Sequence, residues 1–172
     1  MLVSQLTDAL KVRPEELPDR VASLVAQLRD AQKEIDRHRA AAVQEAAARA
    51  ASSPRDVFGV DLVAHDAGES APDELRSFAL DVRGRLGGAR PAVVAVGGVV
   101  KARPQVVVAT NDEARRWGLA AGDLVKVGAG VLGGSGGGKP DVAQGGGSDA
   151  DRIGEALMRI EHTIGERVTG AR

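Results

Sequence analysis

Apolar residues recur along the first fifty positions at helical spacing. Leu2, Leu6, Ala9 and Leu10 predict a short helix from Met1 to about Val12. After Pro14 the chain restarts. Pro18 and Asp19 suit the first turn of a second helix, which the pattern carries to about Ala51. Within it Val21, Leu24, Leu28, Ala31 and Ile35 follow one another at steps of three and four, the period of a coiled-coil seam. His38 and Ala42 continue that register weakly. The stretch Arg39 to Ala51 is alanine-rich, a strong helix former with little apolar bulk. Ser52-Ser53-Pro54 stops the helix. The pattern thus divides the chain into a helical region, 1–53, and a globular region, 54–172.

In the second region the period changes. Val57 to Ala64 predicts a strand, Ser70-Ala71-Pro72-Asp73 a helix start, and Leu75, Phe78, Ala79, Val82 and Leu86 one buried helical face, ended by Gly87-Gly88. Ala92 to Gly97 and Gln105 to Thr110 predict two adjacent buried strands, and Asn111-Asp112-Glu113 a helix cap. Leu119 to Leu132 reads as a helix weakened by Gly122, Gly128 and Gly130. A glycine-rich loop follows, then a short strand Asp141 to Gln144. Ser148 and Asp151 form a capping-box-like start for a last helix, whose face is Ile153, Leu157, Ile160, Ile164 and Val168. Alternating helices and strands predict an α/β (α+β) class: a long N-terminal helix, then a small mixed sheet.

Composition narrows the chemistry. Among 172 residues, Lys+Arg 23 against Asp+Glu 24 gives a net charge of -1, so a polyanion must meet a local patch. There is no cysteine and only His38, His65 and His162, too dispersed for a metal centre. Asp61, Asp66 and Asp141 make no acid/base pair, and no nucleophile has a base beside it. Phe58, Phe78 and Trp117 are the only aromatics, and Trp117 reads as a semi-buried helix-end residue. Base-stacking platforms cannot be built from so few, so an RNA ligand would be held through phosphate, sugar or shape. No apolar run is long enough for a membrane span and no basic leader precedes Asp8, so the expected location is cytoplasmic.

The densest chemical signal is Gly133 to Gly147, two glycine clusters around a tetrapeptide. Glycines leave peptide N–H groups free to converge on an oxyanion, and Lys139 adds a point charge. Gly133 to Lys139 fits most of a nucleotide P-loop, but Pro140 stands where Ser or Thr must hold magnesium. The run Gly136-Gly137-Gly138-Lys139-Pro140-Asp141-Val142-Ala143-Gln144-Gly145-Gly146-Gly147 resembles the C-terminal DHHA1-type domain of the alanyl-tRNA synthetase family. Leu10 to Val21 is similar to the linker before that family's coiled helix, and Asp123-Leu124-Val125-Lys126 to the approach to its glycine loop. DHHA1 phosphoesterases usually carry histidine where this chain has Lys139.

The resemblance implies binding to the outer corner of tRNA, self-association through the helix, and coupling of aminoacylation with editing, without catalysis by this chain alone. ATP and zinc would belong to catalytic and editing regions outside it, and no cofactor to the chain itself. The expected tRNA contacts are Gly136, Gly137, Gly138, Lys139, Gln144, Gly146, Lys101, Arg103, Lys126 and Arg90. Lys139, the glycine loop and Arg103 are expected to share a face. Val21, Leu24, Leu28, Ala31 and Ile35 form the expected dimer seam. The competing readings are a nucleotide-binding phosphoesterase subunit and a pure dimerisation module.

Overall fold

The computed structural model describes residues 2–170. Its described residues form two compact units that divide between Ala42 and Val43, upstream of the expected boundary at 53/54. The last turns of the long helix that ends at Ala51 belong to the second unit. Ala47 is buried in its core, and Val43, Ala46, Ala50 and Ala51 pack partly buried against it.

The first unit is helical. Helix α1, Leu2–Leu10, buries no residue and ends where Lys11 turns to φ 53°; Met1, which the sequence placed in this helix, lies outside the described residues. A 3₁₀ turn, Pro14–Glu16, follows, with the Arg13 N–H and guanidinium both donating to the Glu16 carboxylate at 3.0 and 2.9 Å. These bonds hold the Glu16 carboxyl below its ordinary pKa. Helix α2 spans Leu17–Ala51, 35 residues, with Asp19 in its first turn.

The second unit is a three-layer α/β arrangement around a six-stranded mixed sheet. Its strands are β1 (Arg55–Val57), β2 (Val60–Glu69), β3 (Ala92–Val100), β4 (Arg103–Thr110), β5 (Ser135–Gly138) and β6 (Val142–Gly146), in the order β1-β2-β3-β4-β6-β5. Only β2 and β3 run parallel, joined by helix α3, Glu74–Leu86. The predicted strand Val57–Ala64 is instead two strands. Phe58 and Gly59 both take positive φ, 51° and 95°, and turn the chain between the paired residues Val57 and Val60. The β3–β4 hairpin turns in the same way through Lys101 and Ala102, φ 50° and 62°, so both strands are longer than predicted.

One sheet face packs on α3, burying Leu75, Phe78, Ala79, Val82, Val94, Val96 and Val107 in a core that the end of α2 joins. The other packs on helices α5 (Ala121–Val131) and α6 (Ile153–Gly170), burying Val93, Val106, Val108, Leu124, Ile160 and Ile164. Helix α6 buries the face predicted from Ile153 to Val168, but its start is not a capping box. A 3₁₀ turn, Ala150–Arg152, precedes it, and Asp149 at that turn's N-cap makes no side-chain capping bond. Gly128 does its work where α5 meets α6, since a Cβ there would lie 2.8 Å from the Ile160 Cδ1.

Candidate nucleic-acid interface

The glycine-rich segment is a hairpin, not a loop. Gly136, Gly137 and Gly138 lie in β5 and pair with Gly145, Gln144 and Ala143 of β6; Lys139, Pro140 and Asp141 make the turn. A Cβ on Gly136 would meet the Gly145 Cα at 2.8 Å and Val125 at 3.2 Å, and one on Gly145 would meet the Ala129 Cβ at 2.9 Å. The missing side chains therefore seat α5 directly on the hairpin. On the opposite face nothing lies within 4 Å of the Gly137 Cβ position, so bare backbone is presented beside Gln144. Because β5 is the outermost strand, alternate peptide groups along it also point away from β6.

Register separates the residues that the sequence grouped together. Gln105 of β4 opposes Gly146 and Ala109 opposes Val142, so Arg103 lies beyond the Gly146 end of β6 and Lys139 beyond the Val142 end. Five residues of strand set them roughly 15 Å apart. Lys139 and Arg103, expected to share a face with the glycine loop, thus stand at opposite ends of the strand pair. At the Lys139 end, the Pro140 carbonyl accepts from the Thr110 hydroxyl at 2.8 Å and the Ala121 N–H at 2.8 Å, fixing the turn.

Arg90 and Lys126 are also set apart. Arg90 donates to Asp56 and lies 3.2 Å from Asp61, beside β1, at the sheet edge opposite β5. The Gly59 N–H and then Arg90 hold the Asp56 carboxyl below its ordinary pKa, and Asp56 and Asp61 raise that of Arg90. Lys126 sits on α5, on the other face of the sheet from α3, with its Nζ 3.9 Å from Asp123.

Most cations of the second unit are similarly occupied. Among the described residues its basic side chains without an ion pair are Arg76, Lys101, Arg103, Lys139 and Arg159. Arg76, Lys101 and Arg103 bound one corner, where the start of α3, the β3–β4 turn and the Gly146 end of β6 meet. An open cleft of about 770 Å³ runs there between Arg103, Gln105 and the segments Gly133–Ser135 and Gln144–Ser148. A smaller one of about 240 Å³ lies beside it, bounded by Asp73, Arg76 and Lys101. Gln105 and Gln144 line both. Arg76 and Gln105 carry no motif signal. Only the sheet register brings them to Lys101 and Gln144.

A glycine-rich edge hairpin on a mixed sheet, seated under one helix and flanked by unpaired cations, defines the class, and the comparisons agree with it. The DHHA1 domain model matches residues 59–166, so the chain belongs to the DHHA1 domain family. Within that family its similarity is to alanine–tRNA ligases. It is 57% identical over 171 residues to that of Kineococcus radiotolerans, covering 99% of this chain and 19% of the ligase. It is 54% identical over 164 residues to that of Thermobifida fusca, covering 95% and 18%. The chain therefore spans about a fifth of the length of the curated relatives it matches. The crystal structure of the C-Ala domain from Aquifex aeolicus alanyl-tRNA synthetase superposes with a TM-score of 0.59 at 26% identity, over 66% of this chain and 98% of that domain. Among the described residues no cluster of three or more His, Asp or Glu is arranged to hold a metal, and no helix is long and apolar enough to cross a membrane.

Proposed function

We propose that the chain is a noncatalytic, cytoplasmic tRNA-binding and association module of an alanine–tRNA ligase. It would grip the outer corner of folded tRNA and help couple aminoacylation to editing in the parent enzyme, which supplies ATP and zinc chemistry elsewhere. The observation that carries this reading is the corner itself. In a chain of net charge -1, three of the second unit's unpaired cations, Arg76, Lys101 and Arg103, gather beside a glycine-rich strand pair. Lys101 and Arg103 can neutralise phosphates, and the side-chain-free, half-buried backbone at Gly137, with nothing within 4 Å of its Cβ position, admits a ribose–phosphate strand at short range. Trp117 and Phe58, 39% and 59% exposed, both lie beside Gly59, away from this corner. Recognition through phosphate and shape therefore needs neither.

The second half of the proposal is self-association through α2. Val21, Leu28 and Ile35 of its seam are 48%, 71% and 47% exposed, and Ala31 is exposed too. Apolar seams at coiled-coil spacing are satisfied by a second helix.

Replacing both Lys101 and Arg103 by alanine should weaken folded-tRNA binding about tenfold or more and flatten the dependence of log K on log salt by about 1 to 2. Arg90→Ala and Lys126→Ala, at ion-paired positions elsewhere, should leave both quantities near wild type. The reverse pattern in a filter-binding titration at two salt concentrations would overturn the assignment of the face.

A further inference from the structure

The smaller cleft at the cationic corner differs from a phosphate seat in its lining. Its floor is aliphatic, made by Leu75, Val100 and Val107, all buried. Its rim carries a carboxylate, two carboxamides and two cations: Asp73, Gln105, Gln144, Arg76 and Lys101. Among the described residues none of these five side chains makes a hydrogen bond or an ion pair. The cleft at the other end of α3 is the useful contrast. There Arg83 donates to the Asp141 carbonyl, Arg115 to the Thr110 carbonyl and Asp112, and Asn111 uses both ends of its amide. One cleft is closed by its own groups, whereas the other holds five polar groups aimed at nothing within the chain.

Backbone geometry sharpens the contrast. Asp73 stands at the N-cap position of α3 with φ 67°, a left-handed conformation, yet its carboxylate makes no capping bond. A side chain that caps nothing in a strained position is free for another partner. Gln105 and Gln144 stand diagonally across the β4–β6 ladder, because Gln105 opposes Gly146 and Val107 opposes Gln144. Diagonal residues on one sheet face are close enough for two amides to act on one planar ligand. Gly146, opposite Gln105, puts no side chain between them, and a Cβ there would meet the Pro104 carbonyl oxygen at 2.7 Å.

The geometry points to a seat for one unpaired nucleobase of the bound RNA. This rests on the tRNA-binding reading and adds a contact to bases that phosphate neutralisation does not supply. A bare phosphate gains nothing from a carboxylate or an aliphatic floor. A base uses both: its ring face lies on Leu75, Val100 and Val107, its polar edge meets the two carboxamides, and an amino or imino donor meets Asp73. Lys101 and Arg76 take the flanking phosphates. At about 240 Å³ the cleft falls below the roughly 300–1,000 Å³ of drug-sized ligand sites, which suits a single ring system. The larger cleft shares Gln105 and Gln144, so the phosphate track past Arg103 continues into this seat.

The test uses the whole chain and folded tRNA transcripts, measured at two salt concentrations. Gln144→Ala, at an exposed position, and Asp73→Asn, which keeps a residue tolerant of left-handed φ, should each weaken binding about fivefold or more and leave the salt slope unchanged. Lys101→Ala should instead flatten that slope by about 1. A transcript made abasic at one unpaired corner position should bind the wild type more weakly and the Gln105→Ala/Gln144→Ala variant no more weakly than the intact transcript does. Wild-type affinity in the Gln144 and Asp73 variants, with Lys101→Ala and Arg103→Ala still weakened, would overturn the base seat while the RNA reading stood. A flattened slope in the Gln144 variant would overturn it in favour of a phosphate site. Absence of folded-tRNA binding by the wild-type chain would overturn both.

Discussion

Asn111 shows how much one side chain organises. Its Oδ1 accepts from the Ala92 N–H at 3.0 Å and the Ala114 N–H at 2.9 Å, while its Nδ2 donates to the carbonyls of Gly87 and Arg90 at 2.9 and 2.7 Å. One amide thus ties the start of β3, helix α4 (Asp112–Arg116) and the loop after α3. The sequence revealed the cap but not the other three bonds, which join positions about twenty residues apart. Asn111→Ala should lower unfolding stability by about 2–4 kcal/mol, because it strands buried partners, with the urea midpoint as the readout. His65 makes a second residue-scale case. It stacks on Phe78 with ring centroids 4.7 Å apart, and burial keeps its pKa below the ordinary 6.5, with Asp66 partly opposing. The folded state then binds the proton less readily than the unfolded chain. Stability should be full above about pH 6.5 and fall as pH drops from there through the depressed value, a slope that His65→Gln should remove. A flat wild-type profile across that window would contradict the assignment.

Among elements, periodicity read the helices well and misread the turns. The faces of α3 and α6 were legible because apolar residues at steps of three and four are a strong signal. Phe58-Gly59 and Lys101-Ala102 were not, since neither pair is a common hairpin dipeptide and three of the four residues hold positive φ without being glycine. Glycines 136–138 were misread for a different reason. The same absence of side chain serves a loop around an oxyanion or a strand pressed under a helix, and only Val125 and Ala129 of α5 decide between them. The alanines of α2 likewise suggested a helix with little apolar bulk to bury, yet Ala47 is fully buried. The earlier part of α2 yields the prediction at this scale. Leu28→Glu should lower the mass measured by light scattering at high concentration, by placing a charge in the seam. Equal masses for variant and wild type would remove α2 as the association element.

For the molecule as a whole, the order β1-β2-β3-β4-β6-β5 has the largest consequence. It puts the glycine hairpin at an edge, Arg90 at the opposite edge and Lys139 at the far end of β6 from Arg103, and Lys126 sits on α5, so a basic set that looked single in sequence becomes four places. Arg76, distant in sequence from every motif, joins Lys101 and Arg103 only through this topology. Family membership was legible from the Gly136–Gly147 run, whereas the corner proposed for tRNA emerged only from the sheet order. The most direct measurement compares binding of the chain to folded tRNA and to an unstructured RNA of equal length, at two salt concentrations. The account predicts tighter binding to the folded RNA, with affinity falling as salt rises. Equal binding to both RNAs, or binding indifferent to salt, would contradict a cationic corner shaped for folded tRNA.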